Sequence, residues 1–177
     1  FVNAQRASHL PFGRKRALSN REYRMSVYEK LKALNIELPA VATPAAAYVM
    51  YAQTGNTVFL SGHLAKKDGK VWVGQLGRDI GTDDAKLAAR AVAVDLIATL
   101  QAACGGDLTR VKRIVKLMSL VNSTGEFTEH HLVTNGASDL LVEVLGDAGR
   151  HSRSAVGIAN LPLNASVEIE AIIALKS

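Results

Sequence analysis

Near the C-terminus, Arg153-Ser154-Ala155-Val156-Gly157-Ile158-Ala159 alternates with a period of two. In a strand, Ser154, Val156 and Ile158 then share one face, and Arg153, Ala155, Gly157 and Ala159 share the other. An arginine followed on its own face only by very small side chains leaves a hollow beside a planar guanidinium. That fork matches a carboxylate through two parallel N–H···O bonds, which the point charge of a lysine does not supply. The same pattern fits an edge-strand arginine in an exposed ion pair with a glutamate, an arrangement worth little to stability. A Leu161-Pro162 turn follows, then Val167-Glu168-Ile169-Glu170-Ala171-Ile172-Ile173, again with period two. Glu168 and Glu170 share one face there, opposite Val167, Ile169, Ala171 and Ile173. The two segments read as a pair of strands in a half-buried sheet.

Arg153-Ser154-Ala155-Val156, Leu161-Pro162 and Val167-Glu168-Ile169-Glu170-Ala171 closely resemble the C-terminal signature of the RidA (YjgF-like) family. Its members are reactive-intermediate imine deaminases, often labelled L-PSP endoribonucleases. Tyr48 ahead of a strand, followed by Gly55-Asn56-Thr57-Val58-Phe59-Leu60-Ser61-Gly62, is similar to the family's first hairpin. The resemblance covers roughly residues 40–175. It implies a chorismate-mutase-like (bacillus type) α+β fold and a homotrimer with three sites between subunits.

What it implies for the site is specific. Arg153 would bind a substrate carboxylate, and Glu168 would position or protonate water. Tyr48 would line the pocket, though it also fits a strand-end aromatic with its hydroxyl in water. Asn135 resembles a pocket asparagine, and backbone at Ala155 would hold water. Gly62 would let a ligand approach the main chain, or it simply marks a strand bulge. Two positions depart from the family pattern. Ala155 stands where many members have cysteine, which leaves substrate preference open. His63 stands where the common pattern has glutamine, and it would add a titratable group at the pocket rim.

The implied reaction is hydrolysis of a 2-imino acid or its enamine to a 2-keto acid and ammonia. The imine carbon is already electrophilic, so positioning and proton transfer suffice and no cofactor is expected. One alternative is a trimer that binds a keto or amino acid in the same pocket without turnover. The other is an endoribonuclease, which charge disfavours. Lys and Arg total 21 against 16 Asp and Glu. Residues 1–24 carry six of the basic residues (Arg6, Arg14, Lys15, Arg16, Arg21, Arg24) and one acidic residue, Glu22, so the remaining chain has no net charge. A surface that tracks phosphates needs clustered Lys and Arg.

Residues 1–24 lack apolar periodicity and read as a basic extension outside the fold, with residues 25–177 as one domain. Their Arg-rich, acid-poor composition is also that of an organellar presequence; otherwise a cytoplasmic location is expected. Cys104, the single cysteine, excludes an intrachain disulfide and suits a reducing compartment. It sits on the apolar side of a helix, as a core residue would. No window approaches the roughly 18 apolar residues of a membrane span. His130 and His131 are adjacent, while His9, His63 and His151 lack ligand spacing, so no metal site is expected. Gly105-Gly106 ends a helix and opens no phosphate loop, and no G-x-S-x-G occurs.

The elements that must position these residues follow from periodicity and breakers. Ser26 starts a short helix with Val27, Leu31 and Leu34 on one side. A strand over 46–52, a Gly55-Asn56 turn and a return strand over 57–61 come next. Lys66 to Lys70 turns into a short strand at 71–73. A long helix runs from Asp83 or Asp84 to Gly105-Gly106, with Ala93, Leu96, Ile97, Leu100 and Cys104 as its stripe. A strand over 111–121 and a helix over 128–145, weakened by Asn135-Gly136, precede the two final strands. Helices alternating with strand pairs predict an α+β layer with both long helices on one sheet face. The uncovered face then calls for an oligomer.

Overall fold

The computed structural model describes residues 25–44 and 46–177; the basic extension proposed for residues 1–24 lies outside the described residues. Helix α1 (Val27–Ala33) opens with a reciprocal cap. The Glu29 amide donates to the Ser26 hydroxyl at 3.2 Å, and the Ser26 amide donates to the Glu29 carboxylate at 2.7 Å. Two otherwise orphaned N–H groups are thereby satisfied.

The hairpin of β1 (Tyr51–Thr54) and β2 (Thr57–Leu64) turns on Gly55, whose φ of 53° suits glycine. The first strand begins later than the predicted 46–52. Beyond the Tyr51–Leu60 pair, the ladder is reduced to Ser61 N–H to the Met50 carbonyl (3.0 Å) and the Ser61 hydroxyl to the Val49 carbonyl (2.6 Å). The cause is a bulge in β2. Leu60 pairs with Ala171 and His63 with Ile169, so Ser61 and Gly62 together oppose one residue. A minor hairpin, β3 (Lys66–Lys67) and β4 (Lys70–Val71), leads towards helix α2 (Thr82–Ala103).

Strand β5 (Val111–Asn122), helix α3 (His130–Leu145) and strand β6 (Ser152–Ile158) form a parallel crossover. Strand β7 (Val167–Leu175) reverses and inserts between β2 and β5, antiparallel to both. The sheet order is β1-β2-β7-β5-β6. The two final strands are therefore not neighbours, as the alternating pair had suggested. A helix between β5 and β6 brings the chain back to run parallel, and the turn at 159–166 then carries it across to the opposite edge of β5.

The two long helices cover one sheet face, giving the expected mixed α+β layer. Val58, Leu60, Leu117, Val121, Val167, Ile169, Ala171, Ile173 and Leu175 form the buried rows beneath them. Ala85, Ala88, Ala89 and Ala93 of α2 are fully buried, so small side chains admit close packing. The closest approach is at Gly136, where a Cβ would overlap the Lys86 carbonyl of α2. The Asn135-Gly136 step, read as a weak point of the helix, is thus the place where α3 meets α2 backbone to backbone.

The other sheet face carries Phe59 paired with Ile172, Met118 between Ser154 and Glu170, and Leu120 between Val156 and Glu168. Phe59 is 44% and Val156 41% exposed. Adding a Cβ at the α2–α3 crossing should separate the helices. Gly136→Ala is expected to lower unfolding free energy by about 1–3 kcal/mol, as overpacking does. Gly125→Ala, where no atom lies within 4 Å of the added Cβ, should change it by under about 0.5 kcal/mol. Urea denaturation of both variants checks this.

Candidate active site

Arg153 projects from β6 onto the helix-covered side. Its register partner Leu117 is fully buried, and Leu117 in turn pairs with Ala171. The guanidinium donates from Nη1 to the Ser138 hydroxyl at 2.9 Å and from Nη2 to the His131 carbonyl at 3.2 Å, both on α3. Among the described residues no ion pair includes Arg153, so the exposed Arg–Glu pair is not what the strand forms. Its charge rests on neutral acceptors, and three of its five N–H donors remain for other partners.

The hollow expected along that face is partly filled. Ala155 is half-buried beside Ser119, but a Cβ at Gly157 would overlap His130 Nε2 and Ser123 Oγ. These two side chains lie 3.0 Å apart, and the Phe127 and His130 rings stand perpendicular at a centroid distance of 5.1 Å. They border a cavity of about 300 Å³ at the end of β6. Asn135 is half-buried on α3, four residues after His131 and three before Ser138. That spacing places it on the helix face that holds Arg153.

Glu168 lies elsewhere. It pairs with Leu120, three residues from Leu117 in an unbroken stretch of β5, so it projects from the opposite, open face. Glu168, which the resemblance has handling water near Arg153, does not meet that arginine within one chain. A strand's strict alternation separates positions that sequence spacing seemed to join. Glu168 instead sits over Gly62, where a Cβ would overlap its carboxylate. Burial first, and then the neighbouring Glu170 charge, raises its carboxyl above the ordinary value. Glu168 and Gly62 are thus brought together.

Tyr48 is half-exposed and lies three residues before β1. Strands β1 and β6 are opposite edges of the sheet, four inter-strand spacings apart, or about 19 Å. Tyr48 and Arg153 therefore do not meet in one chain. His63, expected at a pocket rim, is 5% exposed and points beneath α2. The bulge at Ser61-Gly62 shifts the phase of β2 and turns it inward. Its Nδ1 bonds the Ser61 carbonyl at 2.6 Å and its Nε2 meets the Thr99 hydroxyl at 2.8 Å.

A family model described as "YjgF/chorismate mutase-like, putative endoribonuclease" matches residues 28–174. The chain belongs to this family. The resemblance read from the C-terminal segment is borne out. Protein TCP17 of Trypanosoma cruzi is 47% identical over 153 residues, covering 85% of this chain and 95% of that protein. A 2-iminobutanoate/2-iminopropanoate deaminase of Dermatophagoides farinae is 26% identical over 142 residues, covering 80% and 95%. A solved structure from Shewanella oneidensis, described as a "putative endoribonuclease", is 35% identical with a TM-score of 0.81, covering 85% of this chain and all of that one.

On this YjgF-type framework, two residues beside Arg153 escaped sequence reasoning. Ser138 and His151 gave no signal, because a helix serine and a histidine before a strand are ordinary surface residues by pattern. Among the described residues no group of three His, Cys, Asp or Glu is placed to hold a metal ion, and no helix is long and apolar enough to cross a membrane.

The buried His63 makes stability depend on pH. Burial lowers its pKa below the ordinary 6.5, against smaller opposing effects of the Ser61 carbonyl and Asp95. The unfolded chain therefore takes up a proton first as pH falls, so this stabilisation is present above about 6.5 and is lost below it. Unfolding free energy is expected to fall between pH 7.5 and 6. His63→Gln should flatten that slope without abolishing it, since burial also lowers His130 and His151. Denaturant titrations across this range provide the check.

Proposed function

We propose that the chain is an enzyme that hydrolyses 2-imino acids, or the enamines in equilibrium with them, to 2-keto acids and ammonia. The observation that carries the reading is the Arg153 guanidinium, anchored on α3 by two neutral acceptors and left with donors for a carboxylate. A small 2-imino acid offers that carboxylate next to its reactive carbon. The similarity to a 2-iminobutanoate/2-iminopropanoate deaminase supports the same substrate class.

Arg153 holds the carboxylate and thereby fixes the imine carbon. Water adds its oxygen to that carbon, and the C=N electron pair passes to nitrogen, which takes up the water's proton. In the resulting carbinolamine the hydroxyl proton is transferred to nitrogen as C=O forms and C–N breaks, and nitrogen leaves as ammonia. Glu168, whose carboxyl burial and then the Glu170 charge raise above its ordinary value, suits the exchange of those protons. Backbone at Ala155 would hold the water, and Asn135 and Tyr48 would border the substrate.

In one chain Arg153 and Glu168 project from opposite sheet faces, and Tyr48 lies at the far edge. A single site containing all three needs a second subunit. The open face of Phe59, Val156 and Ile172 offers apolar surface for such contacts, and we take the assembly to be a homotrimer with sites between subunits. The same separation favours one rival, a trimer that binds a keto acid through Arg153 without turnover. RNA cleavage fits the neutral body poorly.

Two measurements test this. Freshly generated 2-iminopropionate should disappear with the protein present, followed by absorbance. Arg153→Lys should slow turnover at least about tenfold with the fold intact, since one charge-assisted bond worth about 1.5–3 kcal/mol is lost. Glu168→Gln should lower the rate while sparing pyruvate binding by calorimetry. Turnover persisting in Arg153→Ala would sink the mechanism, and no turnover with intact pyruvate binding would establish the binding trimer. Light scattering should return the mass of three chains; a monomer of 18.9 kDa would remove the intersubunit site.

A further inference from the structure

Arg153 does not stand alone on its helix. His151, just before β6, bonds the Gly149 carbonyl through Nδ1 at 2.6 Å and meets the Ser138 hydroxyl through Nε2 at 3.0 Å. A carbonyl oxygen only accepts, so Nδ1 carries the hydrogen, and Nε2 of the neutral ring is then an acceptor. The Ser138 proton therefore goes to His151. A lone pair of Ser138 Oγ is left facing Arg153, and it accepts from Nη1 at 2.9 Å. The chain of bonds runs in one direction, from Arg153 to Ser138 to His151 to the Gly149 carbonyl.

Each end of this relay is fixed by backbone. A Cβ at Gly149 would overlap the Leu141 carbonyl, so the turn that presents the Gly149 carbonyl is pressed against α3. Ser138 is on α3 itself, and the second guanidinium anchor, the His131 carbonyl, lies on the same helix face. Burial lowers His151 below its ordinary value, against the opposing bond to the Gly149 carbonyl and with a smaller contribution from the Arg153 charge, in the sense that the bond directions require. Two bonds to one rigid helix hold the guanidinium in a set plane. A long arginine side chain would otherwise lose considerable rotamer freedom on binding.

We propose that Ser138 and His151 are positioning residues that hold the Arg153 guanidinium with its unused edge presented to a planar carboxylate. The inference rests on the reading of Arg153 as the carboxylate-binding group. Neither residue touches the substrate. Ser138 acts through Arg153, and His151 acts through Ser138 by setting the direction of its proton. The site thereby selects a carboxylate over an uncharged isostere, because a fixed fork rewards two matched acceptors and leaves a donor unpaired against an amide.

Calorimetric titration with pyruvate and with pyruvamide tests this. Wild-type protein should prefer pyruvate. Ser138→Ala should lower that preference about tenfold through weaker pyruvate binding, and His151→Ala by about threefold. Ser138→Thr and His151→Asn, which keep a hydroxyl and an amide donor and acceptor respectively, should restore most of it. In the Arg153→Ala background, adding Ser138→Ala should change pyruvate affinity no further. A general structural role for Ser138 would instead produce an equal loss in both backgrounds and would overturn the proposal. So would a pyruvate preference within twofold of wild type in both Ser138→Ala and His151→Ala while Arg153→Ala abolishes it. If Arg153→Ala itself leaves pyruvate binding intact, the carboxylate reading of Arg153 fails first. Should Ser138→Ala fail to fold, His151→Ala, which leaves the serine in place, decides the question.

Discussion

The seating of α3 against α2 is the contact on which the Arg153 region depends. Gly136 lets the two helix backbones meet, and it lies between His131 and Ser138, the two residues that hold the guanidinium. A glycine in a helix interior costs roughly 0.5–1 kcal/mol relative to alanine, and here close packing offsets that cost. With the alanine face of α2 fully buried, α3 can lie low over β5 and β6. A helix displaced outward by even one methyl group would carry the His131 carbonyl and the Ser138 hydroxyl away from β6. Local backbone contact is in this way tied to the orientation of a charged side chain.

The sheet then divides the polar groups between two environments. On the helix side, Arg153, His130, His151 and the hydroxyls of Ser123 and Ser138 line the seam between α3 and the edge strand. On the open side, Glu168 and Glu170 stand among Phe59, Met118, Leu120, Val156 and Ile172. Burial, and then the neighbouring Glu170 charge, make Glu168 hold its proton more tightly than a free carboxyl. An acid so placed in a lone subunit is out of register with the cation it would be expected to serve. The combined site proposed above would draw its acid and its cation from two different chains.

The bulge at Ser61-Gly62 shows how a single extra residue re-aims the side chains that follow it. It turns His63 inward to Thr99 and places Gly62 beneath the Glu168 carboxylate. Without it, strict alternation would put His63 on the open face. The histidine that the resemblance places at a pocket rim is nearly buried beneath α2, beside a cavity it lines with Lys66, Asp95 and Thr99, and a glycine that pattern alone leaves ambiguous becomes the floor under an acid.

Sequence alone determined the class of the fold, the family and most of the elements, because period-two and helical repeats report local geometry directly. The α2 and α3 stripes, the alternation of β6 and β7, and the turn at Gly55-Asn56 are of this kind. It also singled out Arg153, Glu168 and Gly62 through the resemblance of their motifs. Tertiary structure decided what those residues face. The insertion of β7 between β2 and β5 is a long-range pairing that no local pattern encodes, and it separated strands that had read as a pair. Which side of a sheet receives the helices depends on the whole core, so the opposition of Arg153 and Glu168 was invisible until the register was known. Ser138 and His151 escaped for the same reason: their roles come from a helix and a turn meeting an edge strand, and a hydrogen bond across that distance leaves no trace in sequence spacing.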